Sequence, residues 1–281
     1  MSLRTPICLT LPGSGTLMGV LAGACEVLEE RHLFVAAGGT SGGGMVALAL
    51  AAGMSAAQVS EMCSAMLVRK DLLDKGWPFD QRPGLYKGKV IEGILKDVFG
   101  KKRLKDLQIP CRVTIVDVSA QRPAILDSVE HGDVLCYRAA RATGSVEGLF
   151  DIAIVHEDNP LRMAGDGGLI LNEPSGLWDD RPEPTLSLRF SARPTLQELI
   201  QQGHMRDGHK KTVKTWADLA VSAANTLLGA AATTMPSTKS AYSEIFLSST
   251  GDGMQFGLTA AEVERRRQEG RAAALAYGGA S

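Results

Sequence analysis

Residues 33–46, LFVAAGGTSGGGMV, decide how the rest of the chain is read. Leu33-Phe34-Val35-Ala36-Ala37 is a short apolar run of strand type. Met45–Ala52 is a run of small and unbranched residues that favours helix until Gly53 stops it. Between them, Gly39-Thr40-Ser41-Gly42-Gly43 fits G-x-S-x-G, the turn that presents a serine hydroxyl at the tip of a strand with a helix starting behind it. Glycines around the serine allow dihedrals and backbone approaches that a Cβ would forbid. No Gly-Lys-Ser/Thr follows them, so the phosphate-binding loop that shares this context is excluded. A glycine-rich connector without chemistry is the competing reading.

The same grammar occurs once earlier. Ile7-Cys8-Leu9-Thr10-Leu11 reads as a buried strand, followed by Pro12-Gly13-Ser14-Gly15 and a helix from about Thr16 to Glu30. Two consecutive strand–helix units predict an α/β fold with a mostly parallel sheet, with both glycine turns at the carboxyl ends of their strands, where open α/β sheets bind ligands. The N–H groups of Gly13, Ser14 and Gly15, at a helix N-terminus, suit developing negative charge and are the first choice for an oxyanion hole serving Ser41.

Downstream, Ser55–Leu67 carries a helix start and apolar spacing, and Lys89–Phe99 reads as an amphipathic helix closed by Gly100. The irregular stretch Asp71–Lys89 holds Trp77, Phe79 and Tyr86 and reads as a connector, or as part of an acyl-chain wall or mobile cover. Lys101-Lys102-Arg103-Leu104-Lys105 is a basic turn, read as solvated surface or a contact for anionic head groups. Cys111–Val118 has strand character, with Ala124-Ile125-Leu126 after it, and Val134–Thr143 looks helical. Asp166 then lies before paired glycines in Met163-Ala164-Gly165-Asp166-Gly167-Gly168. Such an aspartate is commonly a turn former. Beside Ser41 it becomes a carboxylate able to accept the hydroxyl proton.

The 281 residues, 44% hydrophobic and 22% charged, suffice for one sizeable core. A net charge of −1 gives no global attraction to nucleic acid, and no nucleic-acid partner is expected. Cys8, Cys25, Cys63, Cys111 and Cys136 have no paired spacing, which suits reduced thiols and predicts no disulfide framework, metal site or cofactor. The N-terminus lacks a signal-peptide pattern, and Trp216–Met235 is interrupted by Asp218, Ser222 and Asn225, so a cytoplasmic protein without a membrane span is expected.

With Ser41, the first glycine turn and Asp166 together, residues 7–174 resemble the patatin-like phospholipases. The likeness runs through Gly13-Ser14-Gly15, the Gly39–Gly43 elbow, the strand ending in Asp117, the stretch Arg141–Phe150, and Asp166-Gly167-Gly168 with Asn172 and Pro174. The resemblance implies a single domain over 1–281 with a three-layer α/β/α sandwich. It assigns Ser41 as nucleophile, Asp166 as base and Gly13, Ser14 and Gly15 as the oxyanion hole. It also implies a phospholipid, glycerolipid or other ester as substrate; the basic runs Lys101–Lys105 and Arg206–Lys214 add peripheral membrane contact as an expectation. Thr259-Ala260-Ala261-Glu262 opens a charged helix similar to the family's closing helix, within a helical C-terminal part spanning 195–281.

Two departures stand out: Leu17 replaces the family's usual cation, which predicts a preference for neutral esters, and Glu147 replaces a common proline, read as a surface change. The cluster Arg206, Lys210, Lys211 and Lys214 suits a membrane or partner face, or plain solvated surface. A histidine base, His204 or His209, and a catalytically silent lipid-binding or interaction protein are the alternatives.

Overall fold

The computed structural model describes residues 4–74, 84–155, 163–190, 235–249 and 253–278. Trp77, Phe79, His204, His209 and the cluster Arg206–Lys214 fall outside them. The fold is mixed α/β, a central sheet flanked by helices. The strands are β1 (Thr5–Leu11), β2 (His32–Thr40), β3 (Cys111–Asp117), β4 (Arg122–Asp127), β5 (Ala153–Ile154), β6 (Met163–Asp166), β7 (Thr185–Phe190) and β8 (Tyr242–Leu247). They form one eight-stranded sheet in the order β5-β6-β3-β2-β1-β7-β8, with β4 also on β3. Pairing is parallel from β3 through β2, β1, β7 and β8, and antiparallel where β3 meets β4 and β6 and where β5 meets β6.

Alternation along β1 explains how its two faces are used. Ile7, Leu9 and Leu11 enter the main core, while Cys8 joins Ala36, Leu177 and Trp178 in a smaller cluster on the other face. There the buried Trp178 indole donates to the Leu9 carbonyl at 3.2 Å, and the Arg112 guanidinium lies 4.6 Å over its ring.

The helices are α1 (Met18–Arg31), α2 (Ser41–Ala51), α3 (Ala56–Leu67), α4 (Lys89–Phe99), α5 (Cys136–Thr143) and α6 (Ala260–Ala276). The helix starts expected at Ser55 and at Thr259 both form, each closed by a capping box, Ser55/Gln58 and Thr259/Glu262. By contrast, α2 starts at Ser41, not Met45, because the glycines 42–44 adopt helical dihedrals where strand carbonyls crowd them: a Cβ on Gly43 would stand 2.3 Å from the Pro12 carbonyl. Glycine's low helix propensity is overridden by contacts that no larger residue permits.

The C-terminal helix α6 packs on α1 at backbone distance. A Cβ on Gly270 would stand 1.8 Å from the Val20 carbonyl, and one on Gly23 would stand 2.1 Å from that of Arg267. Around this contact Glu26 of α1 accepts from Arg267 at 2.7 and 3.0 Å and from Arg271. Gly270→Val must therefore push the two helices apart. It is expected to lower stability by about 3 kcal/mol, read from the urea midpoint. A change within experimental scatter would show that the helices do not dock this closely.

Candidate active site

Strand pairing alone brings Ser41 and Asp166 together. β4 occupies one edge of β3 from Arg112 to Asp117, so β2 and β6 must share the other edge end to end. The last residue of β2, Thr40, pairs with Thr114; the last of β6, Asp166, pairs with Ile115, one place further on. Ser41 follows Thr40 directly and arrives facing Asp166. Its Oγ donates to Asp166 Oδ2 at 2.6 Å.

Both residues are fixed from several sides. Ser41 has φ +53, the left-handed region that a non-glycine residue enters only under constraint. The constraint is visible: its N–H donates to Thr143 Oγ1 at 2.8 Å, and that hydroxyl donates to the Thr114 carbonyl at 2.7 Å. Asp166 Oδ1 accepts from the Gly168 N–H at 2.7 Å, which orients the carboxyl group. Asp166 is fully buried, and burial pushes its pKa from 3.8 up to about 7 although the Ser41 and Gly168 hydrogen bonds oppose the rise. A hydroxyl aimed at a carboxyl that titrates near neutrality is suited to proton transfer.

The first glycine turn lies against the same elbow. A Cβ on Gly42 would be 2.4 Å from Ser14 Oγ and 3.3 Å from the Gly15 N. The three N–H groups named from the sequence are not equivalent. Gly13 donates to the Asn172 carbonyl at 2.8 Å, whereas Ser14 and Gly15 have no acceptor among the described residues. Leu17 is buried and packs toward Gly253, so its side chain does not project where a head group would meet it.

Thr143, Thr114 and Glu147 matter here and were missed or misread in the sequence. Thr143 lies in a quoted stretch, but nothing local marks its hydroxyl as the support of Ser41. Glu147 is not a surface change: its carboxyl oxygens are buried against Gly165, beside Asp166, with no hydrogen-bond partner of proper geometry among the described residues. Burial pushes Glu147 up to about 8; its own N–H offsets part of that rise and the Asp166 charge adds to it. The Lys101–Lys105 turn is engaged locally: Lys102 donates to the Ala52 carbonyl at 2.9 Å, Lys105 pairs with Asp133 at 2.7 Å, and Arg103 donates to the Asp133 carbonyl. Five cations, Lys87, Lys89, Lys96, Arg138 and Arg141, line a cavity of about 520 Å³ between α4, α5 and β5; neither Ser41 nor Asp166 borders it. Among the described residues no cluster of His, Cys, Asp or Glu could hold a metal, and no helix is long and apolar enough to cross a membrane.

A serine joined to a buried carboxyl at the carboxyl end of a parallel strand, under a glycine turn, defines a class of α/β site. The description "Patatin-like phospholipase" matches residues 9–176, and the chain belongs to that family. No curated protein sequence matches it. Among solved structures, VipD from Legionella pneumophila is similar with a TM-score of 0.57 at 12% identity, covering 97% of this chain and 66% of that one. The type III effector protein ExoU gives 0.48 at 12% identity over 98% and 53%. The ExoU–SpcU complex of Pseudomonas aeruginosa gives 0.44 at 16% over 97% and 52%. The chain thus spans just under two thirds of VipD and about half of ExoU, and at such identities the likeness concerns the fold.

The raised pKa of Asp166 has a thermodynamic consequence. A carboxyl displaced upward contributes stability that is fully present below its unfolded value, here 3.8, and lost as pH rises through its folded value of about 7. Asp166→Asn keeps the shape without the charge. It should therefore unfold at a higher temperature than wild type at pH 8, by the equivalent of a few kcal/mol at most, and at about the same temperature at pH 4. Calorimetry at the two pH values tests this, and a variant less stable at both would contradict it.

Proposed function

We propose that this protein is a lipid acyl hydrolase that cleaves carboxylic esters through a Ser41–Asp166 dyad. The observation that carries the reading is the 2.6 Å hydrogen bond from Ser41 Oγ to a fully buried carboxyl group. In the first half-reaction Asp166 takes the hydroxyl proton as Oγ bonds to the ester carbonyl carbon. The carbonyl electron pair moves to oxygen, where the Ser14 and Gly15 N–H groups receive it. Gly13 shapes the turn rather than donating, since its N–H is taken by Asn172. The intermediate collapses, the alcohol leaves with the proton from Asp166, and the acyl group stays on Ser41. Water then gives a proton to Asp166 and attacks the acyl carbon; the second intermediate expels Ser41 Oγ, which recovers that proton, and the fatty acid is released.

Two carboxylate features support this division of labour. The basicity of Asp166 is raised by desolvation, so no histidine is needed to make it a competent base near neutral pH. The Gly168 N–H holds Oδ1, which leaves Oδ2 for the proton. Substrates are lipid esters presented at a membrane or micelle surface; Leu17, buried against Gly253, takes no part in choosing the head group.

Fluorophosphonate labelling at Ser41, lost in Ser41→Ala, is the direct test. No labelling, together with binding to liposomes, would favour a silent lipid-binding protein. Asp166→Asn should fold and lose about 10³-fold in ester turnover, because an amide does not accept the proton. The wild-type kcat/KM should rise with pH as Asp166 deprotonates, with a midpoint near 7. A rate that is flat from pH 5 to 9 would remove Asp166 from the role of base.

A further inference from the structure

The turn that holds Ser14 and Gly15 is braced from behind by the far end of the chain. Thr16 donates its N–H to the Gly253 carbonyl at 2.7 Å. Its own carbonyl and hydroxyl oxygens both accept from Arg266 Nη1, each at 2.9 Å. Arg266 belongs to α6, 250 positions away in sequence, and is 0% exposed. Gly15 is left-handed, φ +51, and the Gly253 carbonyl fills the place of a side chain, 2.2 Å from an ideal Cβ. With Gly13 N–H on Asn172, the turn is fixed at Gly13, Gly15 and Thr16 while the Ser14 and Gly15 N–H groups are left for a ligand.

Packing of α6 does not require a cation at position 266. Arg267 and Arg271 already join α6 to α1 through Glu26, and an apolar residue would fill the interior without the desolvation cost of a guanidinium. What a guanidinium adds is directed donors that reach the Thr16 carbonyl and hydroxyl together, and a permanent charge behind the turn.

Building on the hydrolase reading above, we propose that Arg266 is a positioning residue. Its guanidinium holds Thr16 so that the Ser14 and Gly15 N–H groups stay aimed at the substrate oxygen as it becomes negative. Donors that must reorient during reaction lose most of their effect, so bracing the turn acts on the transition state more than on substrate binding. The C-terminal helix is then part of the catalytic apparatus without touching substrate.

The test compares wild type, Arg266→Met, Arg266→Lys, Thr16→Val and Glu26→Gln on a short-chain p-nitrophenyl ester, with a lipid trifluoromethyl ketone as a probe whose adduct places an oxyanion in the turn. Arg266→Met is expected to lose about 30-fold in kcat with KM changed less than about threefold, and to weaken the ketone in parallel with kcat/KM. Its pH midpoint should stay that of wild type. Arg266→Lys should recover part of the loss. Thr16→Val, which keeps the carbonyl but removes the hydroxyl acceptor, should lose several-fold and gives the answer if Arg266→Met does not fold. Glu26→Gln loosens α6 without touching the turn; it should lower the melting temperature and leave kcat near wild type. A folded Arg266→Met with unchanged kcat and ketone affinity would overturn the proposal, as would a loss confined to KM or an equal kcat loss in Glu26→Gln. If wild type itself neither labels at Ser41 nor binds the ketone, the hydrolase reading fails first.

Discussion

A hydrogen bond between a hydroxyl and a carboxyl group cut off from water is the constraint on which this structure turns. In water the Asp166 carboxylate would be too weak a base to draw a proton from serine. Buried at the meeting point of β2 and β6, it is raised toward neutrality by the loss of solvation, and the Ser41 and Gly168 bonds stop the rise before the group becomes permanently protonated. That balance needs the two strands to end within one residue of each other along β3, and their shared edge provides it. A register slip of one place would turn the side chains to opposite faces and separate the pair.

Legibility in the sequence followed locality. Ser41 was readable because the whole nucleophile turn is encoded in consecutive residues: strand, glycines, serine, helix. The helices with capping boxes were readable for the same reason, and so was the parallel sheet, since its strand–helix units repeat along the chain. Asp166 by itself reads as a turn former and becomes a proton acceptor only once it stands beside Ser41, a placement no local pattern encodes because its partner lies 125 residues away. Glu147 was misread for a related reason. A charged residue in a loop-like stretch is normally solvated, and the contact with Gly165 that buries it comes from a different strand.

The same rule accounts for the details of the glycine turn. Their shared place in a glycine turn before a helix makes Gly13, Ser14 and Gly15 look alike as donors, yet the Gly13 N–H is taken by the Asn172 carbonyl. Thr143 and Arg266 support the two turns through side-chain bonds spanning 102 and 250 positions, and no local pattern announces either. The basic run at 101–105 shows the converse case, a conspicuous local signal whose main charges are engaged by Ala52 and Asp133 in the fold.

Burial that makes Asp166 a better base also makes the folded state less stable at neutral pH, and Glu147 beside it adds a second penalty of the same sign. Such a site persists only if the surrounding structure holds it closed. The supports are arranged accordingly. Threonines with 0–1% exposure, Thr40, Thr114 and Thr143, tie the end of β2 and the end of α5 to the middle of β3 by hydroxyl bonds, and α6 closes on α1 at backbone distance through paired glycines. The polar bonds that look redundant for packing are therefore the ones that join the elements around Asp166 and keep Ser41 in its left-handed conformation. Stability here is spent locally on a strained serine and an unsolvated carboxyl, and is recovered in the interior of the sheet and along the α1–α6 contact.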